Sequence, residues 1–267
     1  MHPTIKNMVL RVSRALGYDV VPLREMKERD FALYLRGLLS QLKIDCVFDV
    51  GANAGQYHDF LRNHVGFGGT IISFEPISRH VAALKERARS DLAWHIEGYA
   101  LGAGDEALPL NVMVSDQYSS FLRPDNSRVP AISRENKTVA CELVPVKTLD
   151  SVLPGLRERL RFKRPYLKLD TQGFDIEVLR GGRKSVETML GMQTEASVIG
   201  IYQGMPNYVE AIAVVEALGF ELSGLYTVSR DKALRLVEFD CVFINSKVAD
   251  RLLRDEELSQ RQRYRPS

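Results

Sequence analysis

The sequence of 267 residues is poor in cysteine, has one tryptophan, and lacks any long apolar run. No stretch approaches the ~18 apolar residues of a membrane-spanning helix, so none is expected. The N-terminus shows neither the apolar core nor the cleavage pattern of a secretory leader, and the expected location is the cytoplasm. The three cysteines, Cys46, Cys141 and Cys241, are odd in number, far apart and each within a strand-like run. That pattern suits buried thiols in a reducing compartment better than a disulfide framework or a metal cluster. There is no G-K-[ST], which excludes a P-loop, and no G-x-S-x-G elbow to supply a hydrolase nucleophile. The histidines (His2, His58, His64, His80, His95) form no H-x-x-x-H or H-E-x-x-H pair and read as surface or packing residues, with His58 nearest to a candidate site. A net charge of +2 gives no strong attraction to nucleic acid. No N-P-P-Y-type run is present to stack a flipped base. Internal repeats and low-complexity segments are also missing.

What remains is a globular composition, 45% hydrophobic and 26% charged, organised around VFDVGANAGQY, Val47 to Tyr57. Val47 to Val50 read as a buried strand, Gly51 as a turn, and a helix is expected from near Gln56. A strand entering a helix through a glycine turn is a common nucleotide cradle, because small residues let backbone N–H groups approach a ligand. The spacing is G-x-x-x-G, not the G-x-G-x-x-G of dinucleotide sites. Asp49, two residues before the first glycine, is expected to meet a cation or an amine. A ligand with an amino-acid end suits such a turn better than a pyrophosphate.

Along the chain, Ile5, Met8, Val9, Val12 and Leu16 share a helical face that Gly17 would close, and Met26 to Leu42 forms a second helical run. These predict a helical extension over 1–43, packed on the domain or resting on a membrane surface. Strand and helix then alternate: a strand at 46–50, a helix over 54–63, a strand at 69–74, a helix from Ser78 to Arg89, and a strand from Ala93 to Leu101. Between 108 and 149 two strand-like runs flank the polar stretch 116–137, expected to be a lid or acceptor loop, or a plain mobile insertion. The alternation resumes with a helix at 149–160, a strand at 165–170, a helical stretch over 176–190 broken at Gly181-Gly182, and a strand at 192–198. An amphipathic helix over 207–218 and strands at 220–228 and 238–244 follow, then a charged tail over 247–267. The pattern implies an α/β fold with a mostly parallel sheet covered on both faces.

Strand ends carry the candidate chemistry. Glu75 lies 20 residues after Gly55, where an acid can accept both ribose hydroxyls of a nucleoside. Asp170 and Glu195 fall at the carboxyl ends of central strands, the edge at which open α/β sheets bind ligands. Together they could hold a divalent metal, or one could act as general base.

VFDVGANAGQY, FEP (Phe74 to Pro76), YALG (Tyr99 to Gly102), LKLDTQGFDIEVLRGG (Leu167 to Gly182), the QTE strand end (Gln193 to Glu195) and EFDCVFIN (Glu238 to Asn245) together resemble the FkbM-type S-adenosylmethionine-dependent methyltransferases. The resemblance spans roughly residues 43–246. The family's usual K-I-D-V-E-G is K-L-D-T-Q-G here, so Gln172 replaces a carboxylate. The resemblance implies a Rossmann-like class I methyltransferase fold: a seven-stranded, mostly parallel sheet with the last strand antiparallel. It places the methyltransferase domain at 44–246, with 108–149 as an insertion. It implies S-adenosylmethionine as cofactor: Asp49, Gly51, Ala52, Asn53, Gly55 and Tyr57 at its methionine end, Glu75 with Pro76 at the ribose, and Ala100 and Leu101 beside adenine. It further implies O-methylation of a hydroxyl on a sugar, glycolipid or other secondary metabolite.

For such a reaction Asp170 is the expected base or Mg²⁺ ligand with Glu195 beside it, and Ser119, Ser120 and Gln172 would hold the acceptor. No nucleic-acid partner is expected, and peripheral membrane contact and a homodimer stay open. The rival readings are an NAD(P)-dependent oxidoreductase, disfavoured by the glycine spacing, and a nucleotide-binding module without catalysis.

Overall fold

The structure, a computed structural model, describes residues 12, 26–251 and 254. The helix expected over 5–16, with its stop at Gly17, lies outside the described residues except at Val12, and so does most of the charged tail; residues 246–251 are helical.

The described elements begin with helix α1, Met26–Gln41, followed by strand β1, Cys46–Val50. Helix α2, Gln56–Phe60, runs on into a π-helical turn, Leu61–Val65, where a continuous helix over 54–63 is expected from sequence. Strand β2 (Thr70–Phe74), helix α3 (Ser78–Ala88) and strand β3 (Trp94–Glu97) complete the first half. The strand expected over 93–101 is broken: β3 stays in the main sheet, and Ala100–Leu101, strand β4, joins a second sheet. That second sheet has the order β4-β6-β5, with β5 at Glu106–Met113 and β6 at Thr138–Lys147 forming an antiparallel hairpin. Helix α4 (Leu149–Leu160) leads to β7 (Pro165–Leu169), then short helices α5 (Asp175–Arg180) and α6 (Arg183–Val186) lead to β8 (Gly191–Ser197). Helix α7 (Tyr208–Ala217) carries a reciprocal Asn207–Glu210 cap and precedes the final pair, β9 (Phe220–Arg230) and β10 (Leu236–Asn245).

The main sheet has seven strands in the order β3-β2-β1-β7-β8-β10-β9. The pairs among β3, β2, β1, β7 and β8 are parallel, and β10 runs antiparallel to both its neighbours. This is the seven-stranded, mostly parallel sheet with a reversed last strand that the resemblance implies. Chain order reverses between β1 and β7, and the crevice at such a switch point is where open α/β sheets take ligands.

Alternation decides the two faces. Cys46, Phe48 and Val50 on β1, with Leu167 and Leu169 on β7 and Cys241 and Phe243 on β10, point into one continuous core. Burying a side chain such as Phe48 completely contributes about 1.5–3 kcal/mol. The opposite face is apolar only near the strand starts, where Val47, Ile71, Tyr166 and Val242 pack under Leu35, Leu38, Leu39 and Leu42 from the helical run. Toward the carboxyl edge that same face turns polar: Asp49, Lys168 and Gln193 stand side by side in register, and Glu195 faces Asp240.

Cys46 and Cys241 are buried as expected, whereas Cys141 is exposed on β6. The difference arises because one side of the β5–β6 hairpin is uncovered. No helix among the described residues is long and apolar enough to cross a membrane.

Candidate functional site

A cavity of about 640 Å³ opens at the switch point, within the usual range for small-molecule sites. Its floor is the turn after β1. Gly51 has φ +85° and Asn53 φ +48°. A Cβ on Gly51 would sit 1.9 Å from the carbonyl oxygen of Asp170, so only glycine lets the turn lie against the end of β7. The N–H groups of Gly51 and Ala52 both reach the Phe74 carbonyl at 3.1 Å, fastening the turn to β2.

Glu75 is buried on the cavity wall. Its Oε2 accepts from the Asn53 N–H at 2.7 Å and its Oε1 from the Ile77 N–H at 2.8 Å. Each oxygen keeps a further lone pair. Burial pushes its carboxyl up to about 7, against the two backbone donors that pull it down. Gly51, Ala52, Asn53, Tyr57, Glu75, Pro76, Ala100 and Leu101 all line this cavity, as do Ser119, Asp170, Gln172 and Glu195.

Three of the residues singled out from sequence stand elsewhere. Asp49 is fully buried beneath the cavity. Its Oδ2 accepts from Ser73 Oγ at 2.9 Å and its Oδ1 from Lys168 Nζ at 3.1 Å, so the cation it meets belongs to this chain. Gly55 is off the wall; a Cβ there would crowd Arg87, Leu84 and Trp94, so its role is to let α3 and β3 pack closely. Ser120 is buried, donates to the Gln172 carbonyl at 2.8 Å and accepts from the Leu122 N–H at 3.0 Å, which ties the 116–137 loop to the turn after β7. That loop is held further by Asn136, which donates to Asn126 Oδ1 and the Ile201 carbonyl, and by an apolar cluster of Met113, Val129, Ile201 and Tyr202. His58 stacks on Trp94 at 3.6 Å and contacts Asp59 and Asp91, a packing role.

The acids at the strand ends do come together. Gln172, in a left-handed backbone conformation with φ +53°, places Nε2 3.1 Å from Asp170 Oδ1 and 3.3 Å from Glu195 Oε2. Tyr202 Oη lies 2.7 Å from the Tyr118 carbonyl and 3.0 Å from Gln172 Oε1, two acceptors that share its one proton. Lys168 Nζ, 3.3 Å from Asp170 Oδ2, links this pair to Asp49. Burial pushes the Glu195 carboxyl well above the usual range, and the charges of Asp170, Glu238 and Asp240 push it the same way.

The Mg²⁺ expected at Asp170 and Glu195 does not fit this donor set. An amide N–H₂ group bridges the two carboxylates where a cation would have to sit. Among the described residues no group of three or more His, Cys, Asp or Glu is placed to hold a metal ion.

Lys168, Gln193, Glu238 and Asp240 also line the cavity and were not singled out from sequence. Tyr57 Oη donates to Gln193 Oε1 at 2.9 Å, and Gln193 Nε2 to Asp240 Oδ1 at 3.0 Å. Their signal was a polar residue at every second position of otherwise buried strands: Lys168 with Asp170, Gln193 with Glu195, Glu238 with Asp240.

Among solved structures the chain is similar to an FkbM methyltransferase from Methylobacillus flagellatus KT (14% identity, TM-score 0.45, covering 74% of this chain and 43% of that one). It thus spans less than half the length of that protein. It is similar as well to a SAM-dependent methyltransferase from Aquifex aeolicus (11% identity, TM-score 0.38, covering 84% of this chain and 94% of that one). Fibrillarin from Aeropyrum pernix, solved with natively bound S-adenosyl-L-methionine, is a third (11% identity, TM-score 0.41, covering 80% of this chain and 73% of that one). No curated protein matches the sequence. The family model described as the methyltransferase FkbM domain matches residues 49–222, well over half of the chain. The chain belongs to the FkbM methyltransferase family.

Proposed function

We propose that this protein is an S-adenosylmethionine-dependent O-methyltransferase acting on a hydroxyl of a sugar, glycolipid or other secondary metabolite in the cytoplasm. The methyltransferase domain would be 44–246, with 108–149 as the insertion that walls the acceptor side; 1–43 and 247–267 would be its helical extension and charged tail. The observation that carries the reading is the pairing of a glycine turn and a buried Glu75 at one end of a cavity with the Asp170–Glu195 pair farther along it.

When bound, the donor supplies an electrophilic methyl group whose in-line transfer to an acceptor oxygen leaves a neutral thioether. The chain's own residues do the rest. Glu75 accepts the ribose hydroxyls on lone pairs left free by Asn53 and Ile77. The turn at Gly51 to Asn53 seats the amino-acid end, and Ala100 and Leu101 flank the base. Glu195 takes the acceptor proton as oxygen attacks, since a hydroxyl is a poor nucleophile until that proton leaves. Asp170 keeps Glu195 basic through its charge, and Gln172 holds the two carboxylates at a fixed separation. Ser119 offers a hydroxyl to the acceptor from the insertion loop.

Calorimetry with S-adenosylhomocysteine and with NADH tests the donor: uptake of the former alone is expected, and uptake of NADH alone would transfer the site to an oxidoreductase. A chelator is expected to leave methyl transfer unchanged, because no step here uses a metal; loss restored by Mg²⁺ would refute the bridging role of Gln172.

Glu75 adds a pH dependence. Its folded pKa is raised to about 7, so ionising it costs stability. The ligand-free protein is therefore expected to lose stability as pH climbs from the ordinary carboxylate range through about 7. Ribose hydroxyls donate to the ionised form, so S-adenosylhomocysteine affinity is expected to rise over the same window. Glu75→Gln should weaken binding and flatten that slope; a slope that survives the substitution would remove Glu75 from the ribose.

A further inference from the structure

The second sheet has an open edge. Its order is β4-β6-β5, but β4 meets β6 only at Val146 and Lys147. From Thr138 to Pro145, the side of β6 turned away from β5 carries no strand. The ladder tells which backbone groups point there. Opposite residues of an antiparallel pair exchange both hydrogen bonds or neither, in alternation. Asn111, opposite Cys141, spends its N–H and its carbonyl on Ser120 instead. Pro109, opposite Leu143, has no N–H to exchange. The main-chain groups of Cys141 and Leu143 therefore point to the open side. Val139, at the register shift, has no partner on β5 and continues the alternation. No other backbone bond among the described residues reaches these three.

Their side chains share one face, and all are exposed: Val139 at 61%, Leu143 at 73%, and Cys141 between them. Exposed strand edges are ordinarily guarded by lysine, proline or a covering element, since they invite another strand. Between Thr138 and Val144 the only charge is Glu142, on the other face.

The chain itself supplies a matching strand. Laid antiparallel on a second copy with Cys141 on the two-fold axis, β6 sets Cys141 against Cys141, Val139 against Leu143 and Ala140 against Glu142. Apolar residues then meet across the axis and no like charges stand opposite. The neighbouring registers fail. An axis at Glu142 sets that acid against itself and puts Pro145, which has no donor, against Val139. An axis at Ala140 sets Leu143 against Lys137, whose carbonyl already accepts from the Val114 N–H. In the favoured register Lys137 ends the pairing opposite Pro145, short of β4. A net charge of +2 per chain opposes the approach of two copies only weakly.

We propose that two copies of this chain pair antiparallel through β6, joining their three-stranded sheets into one six-stranded sheet with Cys141 on the axis. This goes beyond the methyl-transfer reading and does not rest on it.

Sedimentation velocity on the full chain is expected to show a dimer at about 100 μM. Cys46 and Cys241 are buried, so a short bismaleimide should link the copies through Cys141 alone. Cys141→Ser should stop that link without dissociating the dimer. Cys141→Pro removes an N–H that the β5–β6 ladder does not use, and should give a monomer with an unchanged circular-dichroism melt. Val139→Glu and Leu143→Lys each act twice per dimer, and each should raise its dissociation constant at least about tenfold. Val139→Glu with Leu143→Lys should restore it, because these positions face each other only in this register. If Cys141→Pro fails to fold, the charged variants, placed on exposed side chains, still decide. A monomer at about 100 μM, a dimer that survives Cys141→Pro, or no rescue in the double variant would overturn the proposal. So would concentration-independent protection of the Cys141 and Leu143 amides from hydrogen exchange in a monomer, which would give the edge to another part of the chain.

Discussion

Replacing Glu195 by Gln, or Asp170 by Asn, is expected to lower kcat for methyl transfer about 10²–10⁴-fold, the usual worth of a positioned general base. S-adenosylhomocysteine affinity should change less than about twofold, since neither carboxylate is assigned to the donor. The two residues act as a unit: Gln172 Nε2 contacts both, and Asp170 is the foremost charge raising the Glu195 carboxyl. Their effects are therefore expected to be non-additive, with the double variant little worse than the worse single one. The pH profile separates their roles. The acidic limb of kcat in the wild type reports ionisation of Glu195, whose pKa is raised. Removing the Asp170 charge should move that limb to lower pH, while Glu195→Gln should erase it. Single-turnover rates across pH would check both, and full activity in either variant would take that residue out of the chemistry.

Gly51→Ala is expected to be the most damaging glycine-to-alanine change among the described residues. Two penalties coincide there. A φ of +85° costs an L-residue about 1–2 kcal/mol. The added Cβ would also lie 1.9 Å from the Asp170 carbonyl oxygen, a backbone atom that cannot rotate away. Overpacking of this kind adds about 1–3 kcal/mol. The sum, about 2–5 kcal/mol, corresponds to a fall in Tm on the order of 10 °C for a domain of this size. Any relief must come from separating the turn from the end of β7, which widens the donor floor, so S-adenosylhomocysteine binding should be lost as well. Gly219→Ala isolates the backbone term: Gly219 also has φ +85° but nothing lies within 4 Å of its would-be Cβ. That variant should lose only about 1–2 kcal/mol and bind S-adenosylhomocysteine normally. Equal destabilisation of the two proteins would mean the close approach at Asp170 carries no weight.

The fold was largely legible because its signals are local. Strands such as CVFDV and PYLKL are short apolar runs bounded by turns, and the helices between them have their own caps, as at Asn207. Elements went astray where a partner elsewhere in the chain intervened. The strand expected over 93–101 splits because Ala100 and Leu101 find a better partner in β6 than in β2, a choice made by pairing across some 45 residues. The long loop at 116–137 is held although it has little regular structure: Ser120 and Asn126 satisfy backbone groups within it, and Ser120 and Asn136 donate to the Gln172 and Ile201 carbonyls outside it.

The site divides in the same way. From its own residues the sequence determined the α/β class, the glycine turn, and the acids standing at strand ends, since each depends on neighbours a few positions away. Tertiary structure alone decided what those acids face. Asp49 and Glu75 both end or follow a strand, yet one is sealed beneath Lys168 and the other stands on the cavity wall. Sheet register put Lys168, Gln193 and Asp240 beside the acids already singled out, and left one oxygen of Glu238 bare. Alternation along a strand says which residues share a face; only the order of strands in the sheet says which of those faces meet, and so where charge collects.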